Sequence, residues 1–497
     1  MRPRRGWVAC LCACLSACTT VGPDYRVPER AAVRDAMANG PLQGAQATHV
    51  AIAPVPDDWW RLYDDERLDR LVTKALAANT DIRAASANLR RALALLHEVE
   101  AENLPQGNAG AGVSRAQLSG ESFLQQAQPP VFNLGDVGLG ASYLIDFFGK
   151  LARADEAALA GAQASEATLD MVRVTVAAQT VRAYVQGCAA THDLHAATQQ
   201  LAVQQRTLDA TRRLFAAGRA GPAEVARERA RIEALRAALS PLQAARSAAR
   251  YRLALLLGQP PGALPEAEVA CDAEPVLRAP LPVGDGAALL RRRPDVRQAE
   301  RELAAATARI GVATADLYPS IRIGASAGLT GVLSHLGSGP TARWSVGPLL
   351  SWTWPTNGVR HRIHGLEAAA DAALARFDGV VLRALQETET ALSAYTRELE
   401  RHAALHAAGE HAAQAARQQR RLWEAGRLPY LAHLDAERDL AAAQAALAAS
   451  AGQVTTRQVE LFLVLGGGWQ TARRMAAVPR IKDEKVTESW TVKSSQE

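Results

Sequence analysis

The stretch DIRAASANLRRALALLHEVEAENLP, Asp81–Pro105, returns in the second half of the chain as DVRQAERELAAATARIGVATADLYP, Asp295–Pro319, with one constant displacement. Arg212-Arg213-Leu214-Phe215-Ala216-Ala217-Gly218-Arg219 likewise returns as Arg420-Arg421-Leu422-Trp423-Glu424-Ala425-Gly426-Arg427, and Leu257-Gly258 as Leu465-Gly466. Solenoid repeats run about 20–50 residues. A displacement this much longer marks a duplicated structural unit, with a first repeat over 57–262 and a second over 263–469. Whatever one half does in space, the other is expected to do beside it.

Working outward, each repeat contains a long proline-free span. None occurs between Gly149 and Pro222, or between Pro355 and Pro429, and both spans are dense in Ala, Leu, Arg, Glu and Gln. As a single helix of roughly 70 residues, each would reach about 100 Å. Such a helix persists only by packing along its length. Each is expected to end at an Ala-Gly-Arg turn, at Gly218 and Gly426, and a second helix to return to Leu257 and Leu465. The return covers half the distance. Helix 80–103 stacked on 222–257, and helix 294–317 stacked on 429–465, would complete it. Pro241 is expected to kink the first return helix; its repeat counterpart Ala449 is not. Upstream, Asp57–Ala78 reads as one helix and Thr80-Asp81 as the cap of the next.

Between the helices lie strands. Ile321, Ile323, Ala325, Ala327 and Leu329 alternate with Arg322, Gly324, Ser326, Gly328 and Thr330. Leu139, Ala141, Tyr143 and Ile145 alternate with Gly140, Ser142, Leu144 and Asp146. Weaker partners span 107–117 and 344–354, so each repeat carries two strands, joined by loops near 118–135 and 331–343. Strands of about 9–11 residues cross a bilayer when tilted. One apolar and one small or polar face is the lipid-out, water-in pattern of a membrane barrel. Phe147, Phe148, Trp352 and Trp354 stand at strand ends, where an aromatic girdle lies. A soluble hairpin would show the same alternation; the long helices favour the barrel.

Four strands close no membrane barrel, for which eight is the smallest number in a single chain, and an open edge is not tolerated in lipid. Strands must be pooled between copies. Two copies give eight and three give twelve, and only the wider ring leaves an open pore.

The 497-residue chain has a net charge of +5, 48% hydrophobic residues dominated by Ala, and 5% aromatics. Its Arg residues are spread along helices rather than clustered, so no nucleic-acid face is read. No apolar run long enough for a transmembrane helix follows the N-terminus. Arg2, Arg4 and Arg5 precede an apolar run, Trp7–Ala17, which reads as a secretory signal over 1–17. It ends Leu15-Ser16-Ala17-Cys18, small residues before a Cys, the pattern of a bacterial lipoprotein signal in which Cys18 is lipidated. Residues 18–56, with Pro23, Pro28, Pro41, Pro54 and Pro56, form an extended leader lying on the folded body, and 470–497 a polar tail. Cys188 and Cys271 remain in an oxidising compartment; their pairing is not legible in the sequence.

With these residues in place, the chain resembles the outer-membrane factors, the TolC-like channel lipoproteins of tripartite efflux pumps. Cys18-Thr19-Thr20-Val21-Gly22-Pro23-Asp24-Tyr25 with Pro28 matches the mature N-terminus of the lipidated branch. Trp59-Trp60, Leu62-Tyr63, Asp65 and Leu68 fit a second motif, and Arg293-Pro294-Asp295-Val296 with Ala299-Glu300 a third. Tyr318-Pro319, and Ala425-Gly426 through Tyr430-Leu431 to Leu434-Asp435-Ala436, fit others. The resemblance implies a mainly α fold with membrane β. It implies a homotrimer whose twelve-stranded barrel, four strands per protomer, sits in the outer membrane. A long periplasmic α-helical barrel then narrows at its inner tip, near the turns matching Gly218 and Gly426. Thr19 after the lipidated Cys supports outer-membrane delivery.

The resemblance also supplies gate candidates. Asp435 matches an acidic ring position, and Glu224 lies where relatives often place an acidic tip residue. Acidic rings favour cations. Arg219, Arg427 and Arg227 are close enough in sequence to pair with Glu224 and latch neighbouring helices. Ala432 and Leu428 depart from the pattern, since some relatives carry a second acidic residue and a latch Arg there. A plainer reading makes Glu224 and Asp435 solvated first-turn residues favoured by the helix dipole.

His192 with His195, and His402 with His406, Glu410 and His411, have helical spacing for Zn²⁺; solvated histidines on a long helix are the simpler reading. Gly466-Gly467-Gly468 is a helix stop rather than a phosphate loop. No enzyme motif and no cofactor are expected. The leading reading is a passive exit duct for small molecules, working with a periplasmic adaptor and an inner-membrane pump. The alternatives are a duct for type I protein secretion and, in another class, a lipid-anchored periplasmic coiled-coil scaffold.

Overall fold

A computed structural model describes residues 20–46, 49–117, 119, 121, 126–268, 271 and 275–467. The signal over 1–17, Cys18 and the 470–497 tail lie outside the described residues. None of the described helices is long and apolar enough to cross a membrane.

Two helices of 67 and 68 residues dominate the structure: α3 (Lys150–Ala216) and α6 (Asn357–Glu424). Each is followed by a 35-residue return helix, α4 (Pro222–Leu256) and α7 (Tyr430–Val464). Before them stand α1 (Glu66–Ala78) and α2 (Thr80–Ala101) in the first repeat, and α5 (Pro294–Ala315) in the second. α4 runs unbroken through Pro241. The ring removes the bond that would reach the Ala237 carbonyl, and both residues are exposed, so water can take the freed acceptor.

Each return helix meets a short helix end to end, and one buried side chain makes each joint. Asn79, 2% exposed, accepts from the Asp81 and Ile82 amides at 2.8 and 3.3 Å and donates through Nδ2 to Leu256 O at 3.0 Å. It therefore caps the start of α2 and the end of α4 together. Thr80-Asp81 is thus not the cap; Asn79, one residue upstream, takes that place because it carries both a donor and an acceptor. At the same position of the second repeat stands Arg293. It donates to Val464 O at 3.0 Å and pairs with Asp295 and Glu387 at 2.7 and 2.8 Å. Burying an unpaired helix terminus would cost about 1–3 kcal/mol per orphaned group.

Asp57–Ala78 is not one helix. A 3-10 turn, Trp59–Tyr63, ends at Asp64 in the left-handed region (φ 52°), and Asp65 caps α1 by accepting from the Arg67 and Leu68 amides. Two short acidic side chains favour a cap and a turn over a helix interior. The break turns Trp59, Trp60 and Tyr63 inward, and Trp59 stacks on Phe462 with ring centroids 4.5 Å apart. The main core forms there, around the joints, with Val72, Tyr184, Leu253, Leu392 and Tyr395.

A disulfide joins Cys188 on α3 to Cys271, with Cα atoms 5.3 Å apart and a sequence separation of 83. It ties the segment between the repeats to the core.

The sheet has four strands, all antiparallel, in chain order: β1 (Gln106–Ala116), β2 (Phe132–Ile145), β3 (Ser320–Val332) and β4 (Ala342–Ser351). β1 and β4 are its edges. A separate two-residue parallel pair, Val50–Ala51 with Leu281–Pro282, fastens the leader to the inter-repeat segment.

Asn79→Ala is expected to lower stability by about 2 kcal/mol, one cap plus one orphaned buried carbonyl. The urea midpoint of the helical circular dichroism signal measures it, and an unchanged midpoint contradicts the joint. Cys188→Ser is expected to abolish the mobility difference between reduced and unreduced protein on denaturing gels. It should also remove about 4.5 kcal/mol, the loop-closure value for this span.

Candidate functional site

The sheet register sorts its side chains into two faces. Val137 lies opposite Leu329 and Ala111, Leu139 opposite Ala327 and Ala109, and Tyr143 opposite Ile323. Trp344, Val346 and Leu350 continue the same face on β4. This face is apolar and uncovered: Leu139 is 67% exposed and Trp344 79%. So large an exposed apolar patch requires a nonaqueous neighbour.

The opposite face carries Asn108, Asp136, Ser142, Arg322, Ser326, Thr330, Arg343 and Ser345, interleaved with Gly110, Gly112, Gly138, Gly140, Gly324, Gly328 and Gly347. Arg343 lies across Gly138 to reach Asp136 at 2.9 Å, and its Nε donates to Thr330 at 2.7 Å. A Cβ at Gly328 would strike the Val137 carbonyl. Small side chains on the polar face leave room for water.

The edges decide what this sheet can do. β1 is exposed along nearly its whole length, as is β4. Their outward N–H and C=O groups have no strand beside them within the described residues.

At the far end of the helices, both hairpins turn the same way. Gly218 (φ 69°) and Gly426 (φ 71°) take the left-handed position that favours glycine. Arg219 N–H donates to Leu214 O, and Arg427 N–H to Leu422 O, each at 2.8 Å. The five expected charged groups, Arg219, Glu224, Arg227, Arg427 and Asp435, are all exposed. Among the described residues no ion pair joins Glu224 to Arg219, Arg227 or Arg427 within the protomer. Asp435 pairs with Arg438 one turn along α7, at 2.8 Å.

The ties that do bind neighbouring helices near the tip lie elsewhere. Buried Gln204 on α3 donates to Glu228 on α4, and Arg206 on α3 reaches Glu437 on α7 at 3.0 Å. His433, 5% exposed, stacks on Trp423 with centroids 5.1 Å apart and sits 3.3 Å from Glu437. Sequence reasoning missed these. The available signal was the aromatic pair Trp423 and Tyr430 flanking Gly426. Among the described residues no group of three or more His, Cys, Asp or Glu is placed to hold a metal.

The leader lies on the folded body. Val21 N–H donates to Phe148 O at 3.1 Å. Arg153, 2% exposed, donates to Val21 O at 3.1 Å and pairs with Asp24 at 2.6 Å. The hydrogen bond and charge of Arg153 hold the Asp24 carboxyl below its usual range. Gly22 (φ 87°) meets the backbone of Gly311, where any Cβ would collide. Farther on, Tyr25 donates to Glu300 at 2.8 Å, and burial, then that bond, push its hydroxyl pKa up. Arg30 pairs with Asp371 on α6 at 3.0 Å.

Comparison with known proteins agrees with this geometry. A family model described as outer membrane efflux protein matches residues 71–259 and 287–467, one segment in each repeat. Nodulation protein T of Rhizobium leguminosarum bv. trifolii is 29% identical over 457 residues, covering 92% of this chain and 95% of that one. The pyoverdine export outer membrane protein OpmQ of Pseudomonas aeruginosa is 31% identical over 425 residues, covering 84% and 88%. The solved outer-membrane channel OprN is 35% identical, with a TM-score of 0.82 over 91% of this chain and 100% of that one. The open state of the Neisseria gonorrhoeae MtrE channel is 27% identical, with a TM-score of 0.73 over 91% and 99%.

Arg153→Ala is expected to release the leader. Limited trypsin digestion of the folded protein should then cut at Arg26, Arg30 or Arg34 much faster than in wild type. Equal rates would contradict the clamp.

Proposed function

Because this chain belongs to the outer membrane efflux protein family, we propose that three copies form one outer-membrane exit duct for small molecules. Efflux channels of this family are not enzymes, so the reading needs geometry rather than chemistry. One observation carries it: a four-stranded sheet with an apolar face, a glycine-rich polar face and two open edges. Three such sheets supply twelve strands, enough for a ring with an open lumen. The helical hairpins continue that ring into the periplasm for about 100 Å, the length of α3 at 1.5 Å per residue. An inner-membrane pump and a periplasmic adaptor deliver cargo to the tips. Family membership sets aside the scaffold reading.

Lipid anchoring through Cys18 fits the leader. Thr20 lies against Gly149, and Val21 binds the residue before it. Two residues of chain span at most about 7 Å. Acyl chains on Cys18 would anchor this end of the leader to the membrane.

The tip is the gate in this reading. Asp435, repeated three times around the axis, gives an acidic ring that favours cations. Glu224, Arg219 and Arg427 face outward from the protomer, free to meet a neighbour's hairpin. Arg438 offsets part of the Asp435 charge.

Single-channel recording tests the gate. Asp435→Ala and Glu224→Ala are expected to raise conductance several-fold, and Asp435→Ala to reduce cation preference. Unchanged conductance and selectivity in both variants would remove these residues from the gate.

A further inference from the structure

A cavity of about 310 Å³ opens at the inner end of the sheet, where β2 gives way to α3, α5 to β3 and β4 to α6. One wall is aromatic. Phe148 stacks on Tyr318 with centroids 4.5 Å apart, and Trp352 Nε1 donates to Leu317 O at 3.1 Å. The other wall is charged. Lys150 Nζ and Arg362 Nη1 hold the two oxygens of Asp316, at 2.6 and 3.3 Å. Asp146 also lines the cavity. Its Oδ2 accepts from the Leu151 and Ala152 amides at 2.9 and 3.0 Å, capping α3 and leaving Oδ1 outside that cap.

The cavity lies at the bilayer boundary. Immediately beyond it, on the apolar face, Ile145, Ile321 and Leu350 form one cross-strand row. Lys150 stands one helical turn before Arg153, which grips the leader, and Phe148 O receives the Val21 amide. The charged wall therefore sits on the flank where the leader runs. Its formal charges cancel, two cations against two carboxylates, so it presents a dipole rather than a net charge. Lys and Arg retain donors beyond those spent on Asp316, and Asp146 retains an acceptor.

We propose that this cavity binds the headgroup of a zwitterionic phospholipid bearing a primary ammonium, phosphatidylethanolamine by chemistry. The proposal rests on the membrane-barrel reading and adds a ligand to it. Lys150 and Arg362 take the phosphate, Asp146 accepts from the ammonium, Tyr318 and Trp352 flank the glycerol region, and the acyl chains follow Ile145, Ile321 and Leu350. Quaternary choline cannot donate to Asp146, and phosphatidylglycerol has no ammonium to offer.

Native mass spectrometry of the oligomer, extracted with its full chain into micelles holding equal phosphatidylethanolamine, phosphatidylcholine and phosphatidylglycerol, tests this. Phosphatidylethanolamine should be retained about tenfold over either competitor, the value of one charge-assisted hydrogen bond. Asp146→Asn keeps a cap acceptor and should bring the ethanolamine-to-choline ratio to about one. Lys150→Ala with Arg362→Ala should lower total retained phospholipid about tenfold. Retention of phosphatidylglycerol equal to or above phosphatidylethanolamine would overturn the proposal, showing a plain cationic patch. So would an unchanged ratio in Asp146→Asn. The same spectrum reports oligomer mass: a monomer contradicts the barrel reading, whereas a trimer without ethanolamine preference contradicts only the lipid site.

Discussion

A backbone hydrogen bond left unmade in hydrocarbon costs several kcal/mol, because no water is present to replace it. β1 and β4 are 11 and 10 residues long and lie at the edges of the sheet. In an antiparallel edge strand alternate residues point both polar groups outward. Each edge of a solitary sheet would thus expose about five such residues to lipid, a penalty of tens of kcal/mol. Net domain stability is only about 5–15 kcal/mol. No adjustment of side chains closes that gap. Pairing β1 of one copy with β4 of the next would, and in the proposed trimer it would convert three sheets into a single wall around a lumen.

Other features follow from having that wall. Duplication supplies two hairpins per chain at matching positions, so strands and helices of the proposed ring would advance in equal steps. Helices as long as α3 and α6 are stable only when flanked, and the return layers flank them. Those layers are built from two pieces each, which creates two buried helix-to-helix joints. Asn79 solves the first with one amide; Arg293 solves the second with a guanidinium, Asp295 and Glu387. The core, the last part of the leader at Leu42, Ala45 and Val55, and the Cys188–Cys271 disulfide gather around the same level. The large apolar cluster lies there, whereas near the tips the buried apolar cluster is small, Leu208, Val225 and Ile232, beside the polar and aromatic contacts of Gln204 with Glu228, Arg206 with Glu437, and His433 on Trp423. That distribution fits the gate proposed at the tips.

Much of this was legible because it is periodic. The internal echo located both repeats, missing prolines bounded the long helices, and two-residue alternation gave β2 and β3 with their faces. Gly218 and Gly426 identified the turns because only a left-handed residue ends a helix that way. What escaped depends on contacts between residues remote in sequence. Nothing near Asn79 announces that Leu256 lies 3.0 Å from its amide. Asp64 and Asp65 look like surface acids on a helix until the burial of Trp59 and Trp60 shows why the chain must break there. Two cysteines alone state no pairing. At the tip, the resemblance drew the eye to charged residues, whereas Arg206 and Glu437 meet only because α3 and α7 pack together.

The most direct test is a projection image of the detergent-solubilised particle by electron microscopy. A trimeric duct should show threefold symmetry around a stain-filled lumen, with a stalk about 100 Å long, as α3 requires. Compact single-copy particles with no central channel would contradict it, because one sheet would then have found a way to satisfy both edges alone.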